Sequence, residues 1–189
     1  MRTIGERHQL VNGLLGRART NREMRRLAGA LIDPIRVPVP ADPNVLLDAL
    51  ITSVSQWRGR RVQVHQRAFP PVLRATGLWM ERANQDGTIA DHIIIEEHAA
   101  AWHKLVIFGH EVWHMHKDEA IDPSALAAAT RTDFVEAAEK EAETFGLLVA
   151  QRLRPWLQAA PDSVYAAKGG VDNLAGRIGA ALNYRGTKS

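Results

Sequence analysis

Hydrophobic positions along this chain change their spacing several times, and each change marks an expected element. In Met1–Leu31, Leu14, Leu15, Met24, Leu27 and Leu31 lie among polar residues in a helical pattern that Gly13 and Gly16 weaken locally. Pro34, Pro38, Pro40 and Pro43 then predict an extended, partly polyproline-like arm. From Asn44 to Trp57 the pattern is helical, capped near Asp42 or Asn44. Val45, Leu46, Leu50, Ile51 and Val54 form its buried side, and Arg58-Gly59-Arg60 closes it. Arg61–Arg67 alternates, Val62 and Val64 against Gln63 and His65, as a half-buried strand with His65 on its exposed phase. After Pro70-Pro71, segments Gly77–Arg82 and Thr88–Ile95 flank Asn84-Gln85-Asp86-Gly87, a good hairpin turn. Ala99–Lys117 has no proline, one glycine (Gly109) and apolar residues on nearly all sides, the mark of a buried central helix. Asp133–Leu153 reads as a long helix, started by an Asp133/Glu136 capping box and ended by Pro155. Val171–Leu182, in a Gly/Ala-rich tail, is a marginal helix. The expected class is α+β: mainly helical, with a small antiparallel sheet packed on the central helix.

Composition narrows the chemistry. The 189 residues suit one domain with an N-terminal extension, divided as a basic helix and Pro-rich arm (1–43) and a main domain (44–189). There is no cysteine, so disulfides and thiolate metal sites are excluded, and any metal must be held by His and carboxylates. No apolar run is long enough to span a bilayer and no signal-type segment follows Met1, so a cytoplasmic protein without membrane contact is expected. The net charge of +3 is modest. Arg17, Arg19, Arg22, Arg25 and Arg26 form a basic stripe that can meet nucleic acid or an acidic partner. No aromatic residue is interleaved with them, which argues against a single-strand binding platform. The plainer reading is the solvated face of an amphipathic helix.

The chemistry is concentrated in His110-Glu111-Val112-Trp113-His114. Residues four apart on a helix share a face, so both imidazoles can aim at one ion. Glu111 is rotated by about 100° and reaches a water rather than the ion. This is the H-E-x-x-H arrangement, in which two His bind Zn²⁺ and the Glu is general base. His103 falls near the same face, but two turns away, as a core or rim residue. His116 faces elsewhere, near the helix C-terminus, where a cation is favoured.

A third ligand is expected from the Asp133–Leu153 helix. Glu139, Glu143, Gly146 and Ala150 form a stripe whose small residues let the two helices approach closely. Glu139 can complete the ligand set, with Glu143 as acceptor for a ligand His N–H. Glu141 is the rival, because it points into the apolar face beside Phe134, Phe145 and Leu148, where an unpaired carboxylate is expensive. Auxiliary oxyanion donors are sought, by chemistry alone, among Tyr165, Tyr184, His103 and His98.

His110-Glu111-Val112-Trp113-His114, followed by Glu139-Lys140-Glu141-Ala142-Glu143-Thr144-Phe145-Gly146-Leu147-Leu148, resembles the ImmA/IrrE family of bacterial metallopeptidases over roughly Ala75 to Leu153. That family pairs its zinc helix with a second helix reading E-x-x-A-(N/D)-x-F-A. The resemblance carries Glu139 onto the ligand position, Ala142 and Phe145 onto packing positions, and Glu143 onto the Asn/Asp position. Gly146 stands in place of the usual Ala, a mild departure. The resemblance implies a zincin-like core in residues 44–189, a Zn²⁺ cofactor, and regulatory proteolysis of a partner such as a helix-turn-helix repressor or an antitoxin. The alternative is a non-catalytic regulatory or toxin–antitoxin component that uses the same scaffold for protein binding.

Overall fold

The computed structural model describes residues 4–70, 75–119 and 133–158, with side chains from residue 16 in the first segment and residue 136 in the last. Among these residues the order is α1 (Ile4–Ile32), α2 (Pro43–Arg58), β1 (Val62–Arg67), β2 (Gly77–Ala83), β3 (Ile89–Glu96), α3 (Ala101–Lys117) and α4 (Asp133–Gln158). The class is α+β. The marginal helix at Val171–Leu182, Tyr165, Tyr184 and the Asp133 cap lie outside the described residues or side chains.

α1 runs unbroken through Gly13 and Gly16. It buries Met24, Leu27, Ala28, Leu31 and Ile32, one helical face, in the same core as α2, α3 and α4. Arg17, Arg19, Arg22, Arg25 and Arg26 are exposed. The Pro-rich arm is tied down: Trp156 Nε1 donates to the Val37 carbonyl (3.0 Å), and the Ala41 N–H to the Trp156 carbonyl (3.0 Å). The Val39–Pro40 bond is cis. Asp42 caps α2 by accepting from the Asn44 N–H at 2.8 Å, and Pro43 takes the first helical position, where no N–H is needed. α2 is turned slightly from expectation. Leu46, Leu47, Leu50, Ser53 and Val54 are buried, whereas Val45 is 51 % exposed. The Ser53 hydroxyl donates to the Leu31 carbonyl at 2.6 Å, so docking on the end of α1 sets the rotation that the run of apolar letters left open.

The sheet is mixed, which corrects the expected antiparallel one. Its order is β1-β3-β2; β2 pairs antiparallel with β3, but β1 pairs parallel with it. Successive strands do reverse direction. β3 inserts between the two arms of the wide β1–β2 reversal, so its neighbour on one side points the same way. The β2–β3 turn closes as expected, with the Gly87 N–H on the Asn84 carbonyl (3.0 Å) and Gly87 at φ 80°. His65, expected exposed, is half-buried and stacks on His92 across the β1–β3 pair, with Nε2 and Nδ1 2.9 Å apart. On the core face, Asp91 is fully buried and accepts from Arg60, Arg58 and the Trp79 indole (2.9 Å). Burial works against its charge, but these donors outweigh it and hold its pKa below the usual carboxylate value. This cluster joins the end of α2 to both hairpin strands.

α3 is the central helix, apolar on nearly all sides: Leu105, Val106, Ile107, Phe108, Val112, Trp113 and Met115 are buried against α4, α2, β2 and β3. α4 does not end before Pro155, as expected, but continues to Gln158 with Pro155 exposed on its surface. Trp156 and Leu157 secure that last turn, one on the 37–41 arm and the other in the core. Tertiary packing here overrides the loss of one helical hydrogen bond. At the α3–α4 crossing two glycines face each other. A Cβ on Gly109 would lie 3.1 Å from the Gly146 Cα, and one on Gly146 would lie 2.6 Å from the Val106 carbonyl oxygen. The expected close approach is present, and Gly146 is no mild replacement for Ala in this chain, because the backbones leave no room for a methyl group.

Candidate metal centre

The Gly109–Gly146 contact places the next turns of α3 and α4 side by side. Two turns from Gly146, Glu139 meets His110 and His114 at the solvent end of the crossing. His110 Nε2 and His114 Nε2 are 3.0 Å apart; His110 Nε2 is 3.5 Å from Glu139 Oε2, and His114 Nε2 is 3.5 Å from Glu139 Oε1. One ligand atom from each residue can be chosen so that all lie within 4.8 Å of one another. Tetrahedral ligands at 2.0–2.1 Å from zinc are separated by about 3.3 Å. The imidazole pair and the two contacts to Glu139, one through each carboxylate oxygen, lie near that value, and the three residues form a group that could hold a metal ion. His114 is buried, His110 three-quarters buried and Glu139 half exposed, which leaves one side of the cluster open to solvent. Glu141, the rival ligand, is not in this group.

Charge and burial compete here. Burial disfavours an imidazolium at His110, yet the hydrogen bond to Glu139 and the charges of Glu111, Glu139 and Glu143 outweigh it, and its pKa is raised. Glu143 thus acts on His110 through its charge. A further carboxylate bonds the second imidazole: Glu119 Oε2 lies 3.0 Å from His114 Nδ1. Sequence reasoning missed Glu119, which lies five residues after His114, just beyond the helix. The only available signal was an acidic residue following the last turn.

Glu111 is 5 % exposed and its carboxylate lies against β2 at Gly77. A Cβ on Gly77 would run into its carboxylate, so the bare backbone of Gly77 makes its seat. The Trp79 backbone N–H donates to it. The register explains that donor. Thr76 and Asn84 bond across to Glu96 and Thr88, so the alternating positions Gly77, Trp79 and Glu81 turn their backbone groups to the edge that pairs with no other strand among the described residues. Burial pushes the Glu111 carboxyl above its ordinary pKa, with Glu139 adding to the rise while His110, His114 and the Trp79 N–H oppose it.

The remaining candidates lie apart from this centre. His103 is half-buried, stacks on Trp102, and its Nε2 has no hydrogen-bond partner among the described residues. His98 bonds Glu96, which also accepts from the Phe69 and His98 backbone N–H groups and so titrates at about 2. His116 and Lys117 both bond Glu23 of α1 (2.8 and 2.9 Å). No helix among the described residues is long and apolar enough to cross a membrane. No family model, curated protein or solved structure matches this chain.

Proposed function

We propose that this chain is a zinc-dependent peptidase of bacterial regulation, with a zincin-like core, acting in the cytoplasm on a protein partner such as a helix-turn-helix repressor or an antitoxin. The observation that carries this reading is the convergence of His110, His114 and Glu139 from two helices, with Glu111 seated beside them at a free sheet edge. His110, His114 and Glu139 would hold the zinc. When bound, it supplies a Lewis acid that polarises a peptide carbonyl and acidifies water. Glu111 takes the proton of the attacking water on a carboxylate oxygen and returns it to the amine nitrogen as the C–N bond breaks. Burial raises the pKa of this carboxyl, which makes its carboxylate form a stronger proton acceptor. The outward backbone groups of Gly77 and Glu81 offer an extended peptide main-chain hydrogen bonds by strand addition. Arg17, Arg19, Arg22, Arg25 and Arg26 form a solvated face.

The test uses dialysed protein, assayed for zinc and then for cleavage of the proteins encoded beside it, helix-turn-helix repressors and antitoxins first. One zinc per chain is expected, with cleavage that is abolished in Glu111→Gln while fold and zinc remain. Regulation without cleavage, preserved in Glu111→Gln, would instead establish a non-catalytic scaffold that binds its partner.

A further inference from the structure

α3 ends at Asp118, whose left-handed backbone (φ 57°, ψ 38°) folds the chain back over the last turn. Asp tolerates that conformation better than most side chains. The Asp118 N–H bonds the carbonyls of His114 and Met115, and the Glu119 N–H donates to the His114 carbonyl at 3.0 Å. This is a Schellman closure, which satisfies carbonyls that the helix end would leave bare. The closure also carries the Glu119 carboxylate beneath the His114 side chain, with Oε2 3.0 Å from Nδ1. One residue therefore grips His114 twice, by main chain and by side chain.

That grip has chemical content. An ionised carboxylate only accepts hydrogen bonds, and a neutral imidazole carries one N–H and one lone pair. Facing Glu119, Nδ1 must be the protonated nitrogen, so the lone pair falls on Nε2. His114 Nε2 is the atom aimed at His110 Nε2 (3.0 Å) and Glu139 Oε1 (3.5 Å). His110 has no equivalent support on its Nδ1 among the described residues.

We propose that Glu119 is a positioning residue of the metal centre: it selects the Nδ1–H tautomer of His114 and aims Nε2 at the ion. The inference rests on reading His110, His114 and Glu139 as ligands. Without Glu119 the ring is shared between two tautomers, only one of which can bind metal through Nε2, and apparent affinity falls with the competent fraction.

The experiment compares wild type, Glu119→Ala and Glu119→Gln, each labelled with ¹⁵N-histidine. Two-bond ¹H–¹⁵N spectra of the metal-free protein at alkaline pH report the His114 tautomer. Competition with a chromophoric chelator reports Zn²⁺ affinity. Melting curves restrict the comparison to folded protein, and the backbone bond of residue 119 survives in both variants. The expected result is an Nδ1–H signal at His114 in wild type and a mixture in Glu119→Ala. Zinc binding in Glu119→Ala should be weaker by about 10–100-fold. Glu119→Gln, which can still accept from Nδ1–H through its amide oxygen, should recover most of both. An unchanged tautomer with unchanged affinity in Glu119→Ala overturns the inference. Should wild type bind no zinc, the metal-centre reading falls, while the spectra of metal-free protein still decide the tautomer claim.

Discussion

At Glu111 a carboxylate is kept in the core beside Ile107, over a glycine, with a backbone donor from the sheet edge. Its raised pKa has a defined consequence for stability. Between the unfolded and folded pKa values the native state binds more protons, so this group's contribution falls as pH rises from the unfolded value through the folded one. Glu111→Gln removes that penalty. In metal-free protein it should melt higher than wild type at neutral pH, with the gap narrowing toward pH 4. A gap that widens on acidification would show that folding does not raise the pKa of this carboxyl. Gly77 is the complementary residue. A Cβ there would collide with the Glu111 carboxylate and lie 2.7 Å from Ile107 Cγ2. Gly77→Ala should displace Glu111, lowering peptidase turnover by at least tenfold, while zinc stoichiometry stays at the wild-type value. Loss of zinc together with turnover would mean that the strand seats the ligands as well as the base. The H-E-x-x-H residues were legible because helix periodicity alone puts two His on one face. Gly77, Trp79 and Glu119 were not, since each meets its partner only after a strand or a helix end has folded onto α3.

At the scale of elements, the α3–α4 crossing positions the His110, His114 and Glu139 side chains. Gly109 and Gly146 let the backbones touch, and Trp113 packs on Phe145 with ring centroids 5.1 Å apart. Gly146→Ala must push α4 away from the Val106 carbonyl. Overpacking of this kind costs about 1–3 kcal/mol. The expected outcome is a lower melting temperature, with zinc affinity reduced because Glu139 retreats along with α4. Unchanged affinity in a folded variant would detach the crossing from the centre. The stripe of small residues on α4 signalled the approach, and the fold turned a tolerated substitution into a required glycine. Pro155 shows the converse. Its helix-breaking tendency is real, but Trp156 and Leu157 have partners on the arm and in the core that hold the last turn.

For the whole molecule, the cation and the fold should be coupled. α3 and α4 each contribute to the His110, His114 and Glu139 cluster, and α1 and α2 pack on the same core, so an ion bound there would stabilise the folded state by mass action. Zinc at a hundred times its dissociation constant would add about 2.7 kcal/mol. Titrating zinc into metal-free protein should raise its melting temperature in a saturable way, and a chelator should reverse the rise. His110→Ala/His114→Ala should abolish the response. A zinc response that persists in that double variant would place the ion elsewhere.

Periodicity and turn chemistry were enough to determine most elements, the β2–β3 hairpin, the buried central helix and the paired imidazoles, with Glu139 and its rival Glu141 named as the carboxylates to join them, because each depends on residues close in sequence. The order of strands, the rotation of α2, the extent of α4 and the selection of Glu139 over Glu141 depended on contacts between segments far apart in sequence. Local spacing specifies which face of an element is apolar. Only the packed structure specifies what that face meets, and so which carboxylate arrives at the paired imidazoles and which one braces them from behind.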